Sequence, residues 1–201
     1  MQRIVVPGEK LSEKQLRIEN TITDANGTYS CILGSFDEQT LSLIPLEGLW
    51  QPRNGDTIIG IVEEDRGTTV TVNLNAPYKG LIISKFLESE IKAGDIIVST
   101  IKELEKGGTA ILIRPKVLGA GKLMSVTPSK IPRIIGKANT MVKQITDGTG
   151  TSVVIGLNGL VWLSGGDVDL ATAAILKIEE EAHTSGLTER VKELLDNKKM
   201  V

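Results

Sequence analysis

Cysteine and histidine are almost absent from this chain of 201 residues, which contains one of each, Cys31 and His183. A single cysteine excludes an internal disulfide and favours a reducing, cytoplasmic location. One cysteine and one histidine also exclude a zinc site built from these ligand types. Glu180 and His183 have the Glu-x-x-His spacing of di-metal bundles, but a second copy is missing, so a solvated helix face is the preferred interpretation. We therefore expect no metal and no cofactor.

Long apolar runs and catalytic signatures are missing as well. No run of 18 apolar residues occurs, so no membrane span is expected, and the first ten residues lack the apolar core of a signal peptide. The stretch LGAGKLM resembles a phosphate-binding loop, but Lys116 stands where its first glycine belongs and Leu123 where serine or threonine must follow the lysine. A serine or cysteine nucleophile would have no base except His183. We therefore predict that the chain is not an enzyme and has no catalytic residues.

Aromatic residues make up only 3% of the chain, and the formal net charge is −2. Few aromatic side chains provide few surfaces for base stacking, and nucleic-acid-binding proteins usually have a strong basic face. The basic charge is nevertheless concentrated, because residues 119–147 contain five basic residues and one acidic residue. Within that block lies IPRIIGKANTMVKQI (131–145), which places Arg133, Lys137 and Lys143 around the short turn GKAN.

The 21 glycines and the short apolar stretches favour a β-rich fold. Residues 1–53 contain short strand candidates. A segment of about 50 residues is marginal for an independent hydrophobic core, so we expect this N-terminal β domain to pack on a neighbour. Residues 54–117 contain five strand candidates rich in Ile, Val and Thr, which suit a small closed barrel of the OB type. These candidates are DTIIGIVEED, TTVTVNL, KGLIIS, DIIVSTIKEL and TAILIRP. The stretch 116–130 is interpreted as a linker.

Residues 121–201 alternate helix and strand signals. A short helix with Pro132 in its first turn, the GKAN turn, and a helix with Met141 and Ile145 on one face precede the strands TSVVIG and LVWLSG. A further helix then begins at the capping residue Asp167. This order is that of a type I KH fold, in which a Gly-x-x-Gly loop lets the backbone approach the phosphates of a single strand. The alternative is a plain helical hairpin with a solvated turn.

Three stretches of the chain resemble the archaeal exosome RNA-binding cap subunit that contains a KH domain. They are RIVVPGEKL (3–11), IPLEGLWQPRNGDTIIGIVEE (44–64), and IPRIIGK (131–137) with VVIGLNGLVWLSGG (153–166). The second stretch is similar to the entry into an OB barrel of the ribosomal-protein-S-one type. The resemblance implies a multidomain protein, β-rich plus α/β, with a small N-terminal β domain, a five-stranded OB barrel and a type I KH domain.

The function implied by this resemblance is that of a non-catalytic subunit, with three copies on a hexameric ring of phosphorolytic 3'-5' exoribonuclease subunits. The subunit would bind single-stranded RNA and deliver it to the ring for degradation and processing, with the N-terminal β domain docked on the ring. Another cap subunit of the same complex carries a zinc ribbon instead of a KH domain, and a single cysteine excludes it. A structural scaffold with little RNA contact, and a transcription elongation factor that pairs OB and KH domains, stay open as alternatives.

The candidate RNA-binding residues come from two regions. In the KH region they are Arg133, Gly136, Lys137, Asn139 and Lys143. In the barrel they are Arg66, Tyr78, Lys79, Lys85 and Phe86, although the two aromatic residues are equally suited to filling the core. Asn139 stands where the second loop glycine belongs. Asparagine tolerates a left-handed backbone, but its side chain can hinder phosphate approach.

The hairpin motif GLNG, with Gly156, Asn158 and Gly159, has two interpretations. The first is a tight turn, because Asn-Gly is a common hairpin solution, and the second is an RNA contact. As a turn, it predicts a positive φ at both glycines, where a β-branched residue is not tolerated.

Overall fold

The computed structural model describes residues 2–18, 20–45, 50–87, 90–105, 107–182, 184 and 186–198. The chain divides into two compact units, residues 1–48 and 49–201. The fold class predicted from the sequence is confirmed, since small N-terminal sheets precede a closed five-stranded barrel and an α/β region with the KH order of elements. The barrel and the α/β region belong to one compact unit, and the division into three domains at 1–53, 54–117 and 121–201 stays a prediction.

The described residues of the first unit form six short strands: β1 (Gln2–Val5), β2 (Lys10–Ser12), β3 (Thr21–Asp24), β4 (Gly27–Ser30), β5 (Gly34–Asp37) and β6 (Ser42–Pro45). They form two antiparallel sheets with the orders β1-β5-β6 and β2-β4-β3. A small core of Val5, Phe36 and Leu43 is buried between them and the loops. The guanidinium of Arg3 lies 5.8 Å from the centre of the Phe36 ring. Residues 46–49 of the IPLEGLW stretch lie outside the described part of the chain.

The barrel consists of β7 (Thr57–Asp65), β8 (Thr69–Asn73), β9 (Lys79–Ile83), β10 (Ile96–Glu105) and β11 (Thr109–Val117). These strands close in the order β10-β11-β9-β8-β7, with β9 and β11 parallel and the other neighbours antiparallel. Each coincides with a strand candidate to within two residues at either end. The prediction succeeded because apolar β-branched residues that point inward alternate with polar residues, as Val70 and Val72 do on β8.

The α/β region contains β12 (Lys122–Ser125), α1 (Ile131–Ile135), α2 (Thr140–Thr149), β13 (Ser152–Ile155), β14 (Leu160–Ser164), α3 (Val168–Glu181) and α4 (Leu187–Lys198). The sheet order is β12-β14-β13. The interpretation of 116–130 as a linker is wrong for β12, which pairs with β14 over four residues. A strand of four residues between glycines and polar residues carries too weak a pattern to be recognised. Asp167 caps α3 as predicted, since its carboxylate accepts from the Leu170 N–H at 2.8 Å.

Both faces of this three-stranded sheet are covered. The helices cover one face with a core that includes Ile134, Ile145 and Ile175. The barrel covers the other, where Ile59 of β7 packs with Trp162 of β14. The barrel and the α/β region therefore share an apolar contact.

Candidate nucleic-acid interface

The loop between α1 and α2 folds as a sharp left-handed turn. Gly136 has φ 74° and ψ 167°, and Ala138 and Asn139 follow with φ 53° and 62°. A Cβ atom on Gly136 would lie 2.7 Å from the backbone nitrogen of Met141, so only glycine fits there without a shift of the helix. Asn139 adopts the left-handed conformation that asparagine was expected to tolerate. The turn is therefore preserved, although its last residue carries a side chain.

Three basic side chains surround this turn. Arg133, Lys137 and Lys143 are exposed, and none of them forms a side-chain hydrogen bond or ion pair with another described residue. Arg133 and Lys137 line a cleft of about 540 Å³ between the loop and the start of α4. Lys143 lines the adjoining cleft between α2 and α4. The structure thus brings together the basic residues that the sequence singled out, with their charges available to an external anion.

The predicted barrel residues fall into two groups at opposite ends of β9. Lys85 lies just after β9, in a short 3-10 helix whose Ser84 hydroxyl donates to the Gly67 carbonyl oxygen at 2.6 Å. Arg66 lies in the same turn as Gly67, between β7 and β8. Its guanidinium pairs with the Glu64 carboxylate at 2.8 Å, and this hydrogen bond lowers the pKa of Glu64. The charge of Arg66 is therefore already partly compensated within the barrel.

Lys79 begins β9 at its other end, about 13 Å from the last residue Ile83 at the usual rise per residue of a strand, and Tyr78 directly precedes it. Tyr78 is partly buried against the barrel core and meets the Trp50 ring edge-on, with ring centroids 6.3 Å apart. This packing favours the core-filling role over base stacking. Lys79 is exposed. The side chain of Phe86 lies outside the described part of the chain.

Asn158 of the GLNG motif is 1% exposed. Both the nitrogen and the oxygen of its side-chain amide form hydrogen bonds with backbone groups of the barrel. Its Nδ2 donates to the carbonyl oxygens of Ile59 and Leu74 at 2.7 and 2.8 Å. Its Oδ1 accepts from the Ile59 N–H at 3.2 Å. The side chain therefore fastens the α/β region to the barrel and leaves no polar atom for RNA.

The GLNG motif itself is a tight turn, since the Gly159 N–H donates to the Gly156 carbonyl oxygen at 3.1 Å. The sequence did not reveal that this turn docks on the barrel, where the Leu157 N–H donates to the Thr57 carbonyl oxygen at 2.9 Å. A usable signal was the unbroken apolar run of β14, because a strand buried on both faces loses its polar–apolar alternation.

Replacing Gly159 by valine is expected to destabilise the fold by at least about 1–2 kcal/mol, the cost of a β-branched residue in the left-handed region. The φ of Gly159 is 85°, and a Cβ there would also lie 2.6 Å from the Val126 carbonyl oxygen. The expectation of a positive φ is wrong for Gly156, which instead needs room, because its Cβ would lie 2.6 Å from the Ile59 nitrogen.

Thermal unfolding and RNA titration of Gly156→Val and Gly159→Val test this assignment. We expect melting temperatures to fall, with RNA affinity retained by the molecules that stay folded. Variants that melt like the wild type but no longer bind RNA would show that the turn is a contact site.

Within the described ranges, no three His, Cys, Asp or Glu side chains are grouped so that they could hold a metal ion. His183 lies outside those ranges, so the interpretation of Glu180 and His183 as part of a solvated helix face stays a prediction. None of the described helices has both the length and the apolar character needed to cross a membrane.

Comparison with known proteins identifies the family. Residues 121–169 match the family model of the KH domain, a span that includes both the GKAN loop and the GLNG turn. The chain is 34% identical over 218 residues to exosome complex component Rrp4 of Thermococcus kodakarensis, covering 96% of this chain and 85% of that protein. It is also 34% identical to Rrp4 of Picrophilus torridus, covering 99% of this chain and 94% of that protein. The chain belongs to the Rrp4 family of exosome complex components.

The Rrp4 assignment extends to the fold. A crystal structure of a protein assigned as an exosome complex RNA-binding protein is similar, with a TM-score of 0.68 and 26% identity, over 76% of this chain and 98% of that one. Membership of the Rrp4 family confirms the resemblance seen in the sequence. It also decides against the transcription elongation factor, whereas the scaffold alternative concerns what an Rrp4 protein does within the complex.

Proposed function

We propose that this chain is a non-catalytic cap subunit of the exosome, which binds single-stranded RNA and delivers it to a hexameric ring of phosphorolytic 3'-5' exoribonuclease subunits. The observation that carries the proposal is the left-handed turn at Gly136 with Arg133 and Lys137 beside it. These two cations have no partner within the described part of the chain, so their charges are available to bind RNA phosphates. The relatives are named as components of the exosome complex, which supplies the assembly in which the RNA would be passed on.

In this proposal the KH loop recognises the RNA backbone. Arg133, Lys137 and Lys143 contact phosphates, while the absence of a side chain at Gly136 lets the backbone come close to them. Phosphate contacts carry no base information, so binding is tolerant of sequence. Three copies on one ring would raise the effective affinity of a weak single site without any new contact.

The barrel plays a secondary part. Lys79 and Lys85 are proposed as further phosphate contacts. Arg66 contributes less than an unpaired cation would, because Glu64 already pairs with it. Tyr78 is a weak candidate for base stacking since its ring packs in the barrel core, and Phe86 stays a predicted stacking residue.

A scaffold role is the second candidate function. The buried contacts of Asn158 favour it, because they commit the GLNG turn to holding the barrel and the KH region together. RNA binding by the isolated full-length chain separates the two roles. A scaffold would co-purify with the ring subunits and bind RNA no better alone than an unrelated acidic protein, whereas the proposed cap subunit does both.

The purified chain is expected to have no nuclease, phosphorolytic or nucleotide-hydrolysing activity. The sequence contains no phosphate loop, and a nucleophile would have no base except His183. The measurement is incubation of labelled RNA with the chain alone, with phosphate or with divalent metal ions. Metal-dependent cleavage that co-elutes with the chain and disappears on mutation of its own carboxylates would overturn this expectation.

A further inference from the structure

The cleft beside the KH loop continues along helix α4. Thr140, Thr188 and Glu189 line the loop cleft, and the same three residues line a second cleft of about 580 Å³ between α2 and α4. We call these two connected clefts the α2–α4 groove. The groove begins at the loop that is proposed to hold RNA.

Helices α2 and α4 run side by side in the same direction away from the loop. Near the loop, Gln144 Nε2 donates to the Thr188 carbonyl oxygen at 3.2 Å. Further along, Gly148 lies against Leu195, and a Cβ on that glycine would be 2.9 Å from the leucine Cδ1. Helix α4 is therefore a packed wall of the groove.

Lysines without partners project from both walls. Lys143 from α2 and Lys192 from α4 line the groove, are exposed, and form no side-chain bond with any residue that the structure describes. Arg190 of α4 differs, because it pairs with Glu181 at 2.6 Å. Hydrogen bonds from Lys177 and Arg190 lower the pKa of Glu181, the last residue of α3. The Arg190 side chain is therefore already engaged in an ion pair between α4 and α3.

Carboxylates also line the groove, and their placement gives it a direction. Glu189 lies near the loop, whereas Asp147 and Asp196 each follow a groove lysine by four residues, one helical turn further along. Among the described residues, the part from the loop to Lys143 and Lys192 thus contains one carboxylate, Glu189, and four cations, which are Arg133, Lys137, Lys143 and Lys192. A polyanion is attracted to that part and repelled at the far end.

We infer that helix α4 is a second RNA-binding wall: a single strand held at the KH loop enters the α2–α4 groove, where Lys192 contacts a phosphate opposite Lys143. Helix α4 lies outside residues 121–169, which match the KH family model. The proposed contact between Lys192 and RNA therefore does not follow from that match. The inference rests on the proposed function, because the ligand is the RNA of the KH loop. Continuity with that loop and the unpartnered lysines favour RNA over an acidic protein segment.

The test is a salt titration of binding of a fluorescent single-stranded oligouridylate to the full-length chain. One phosphate contact contributes about 0.7 to the log–log salt slope, which is about fivefold in affinity near 0.1 M salt. We expect Lys192→Glu to weaken binding by about fivefold or more and to flatten the slope by about 0.7. Glu189→Gln should strengthen binding about two- to fivefold, because an exposed charge contributes up to about 1 kcal/mol.

Two matched variants control for charge alone. Glu193→Gln removes an exposed carboxylate of α4 that does not line the groove, and Lys14→Glu makes the same charge reversal in the first unit. Both are expected to bind like the wild type. Thermal unfolding of every variant verifies that the fold is intact.

The outcomes separate this inference from the proposed function. If Lys137→Glu loses affinity while Lys192→Glu and Glu189→Gln bind like the wild type, RNA stays at the loop and the groove inference is wrong. If all three bind like the wild type, the KH loop is not the RNA site either. If Lys192→Glu binds RNA normally but loses the ring subunits, the groove holds protein and the inference is also wrong.

Discussion

Replacing Asn158 by leucine is expected to lower the free energy of unfolding of the 49–201 unit by about 3–5 kcal/mol. Leucine fills a similar volume but leaves the Ile59 N–H and the carbonyls of Ile59 and Leu74 unpaired in a buried position. Each buried backbone group without a partner costs about 1–3 kcal/mol. Strand β8 cannot take over, because its pairing with β7 ends at Ile61 and Asn73.

Chemical denaturation measures this loss, with Gln144→Ala as the control. Gln144 also bonds to a backbone carbonyl, but it makes a single bond of 3.2 Å near the surface, so we expect a loss below about 1 kcal/mol. An Asn158→Leu variant as stable as the control would show that the amide does not hold the barrel and the KH region together.

The double variant Arg133→Glu/Lys137→Glu is expected to bind single-stranded RNA about 25-fold more weakly near 0.1 M salt, with a log–log salt slope flatter by about 1.4. These values follow if each side chain neutralises one phosphate. All single-stranded RNAs should be affected alike, because phosphate contacts carry no sequence information. Stability should change by less than about 1 kcal/mol, since both side chains are exposed.

A salt titration of RNA binding by the reconstituted complex provides the measurement. Arg114→Glu/Lys116→Glu makes the same charge change at exposed positions of β11 and should leave the slope unchanged. Equal losses in both double variants would indicate a general charge effect. An unchanged slope in the KH-loop variant would move the RNA site to the barrel candidates Arg66, Tyr78, Lys79, Lys85 and Phe86.

Local patterns explain what the sequence predicted well. The five barrel strands were recognisable because each is a short run of apolar β-branched residues bounded by turn residues. The left-handed Asn139 was predictable from the tolerance of asparagine for that conformation. The cap at Asp167 depends only on residues three positions apart.

Contacts between distant parts of the chain explain what the sequence did not reveal. The bonds of Asn158 join residues that are 84 and 99 positions apart, and no local pattern reports them. Strand β12 exists because β14 lies beside it. The α2–α4 groove requires Lys143 and Lys192 to face one cleft from separate helices, which only the packed structure specifies.

The rate of RNA degradation by the exoribonuclease ring, measured with and without this chain, tests whether the chain delivers RNA to the ring. We expect the chain to co-purify with the ring and to speed degradation of single-stranded RNA. We also expect Arg133→Glu/Lys137→Glu to assemble normally but to lose most of that gain. A chain that leaves the ring fractions, or a degradation rate that is the same with the wild type, with the double variant and with the ring alone, would contradict that delivery role.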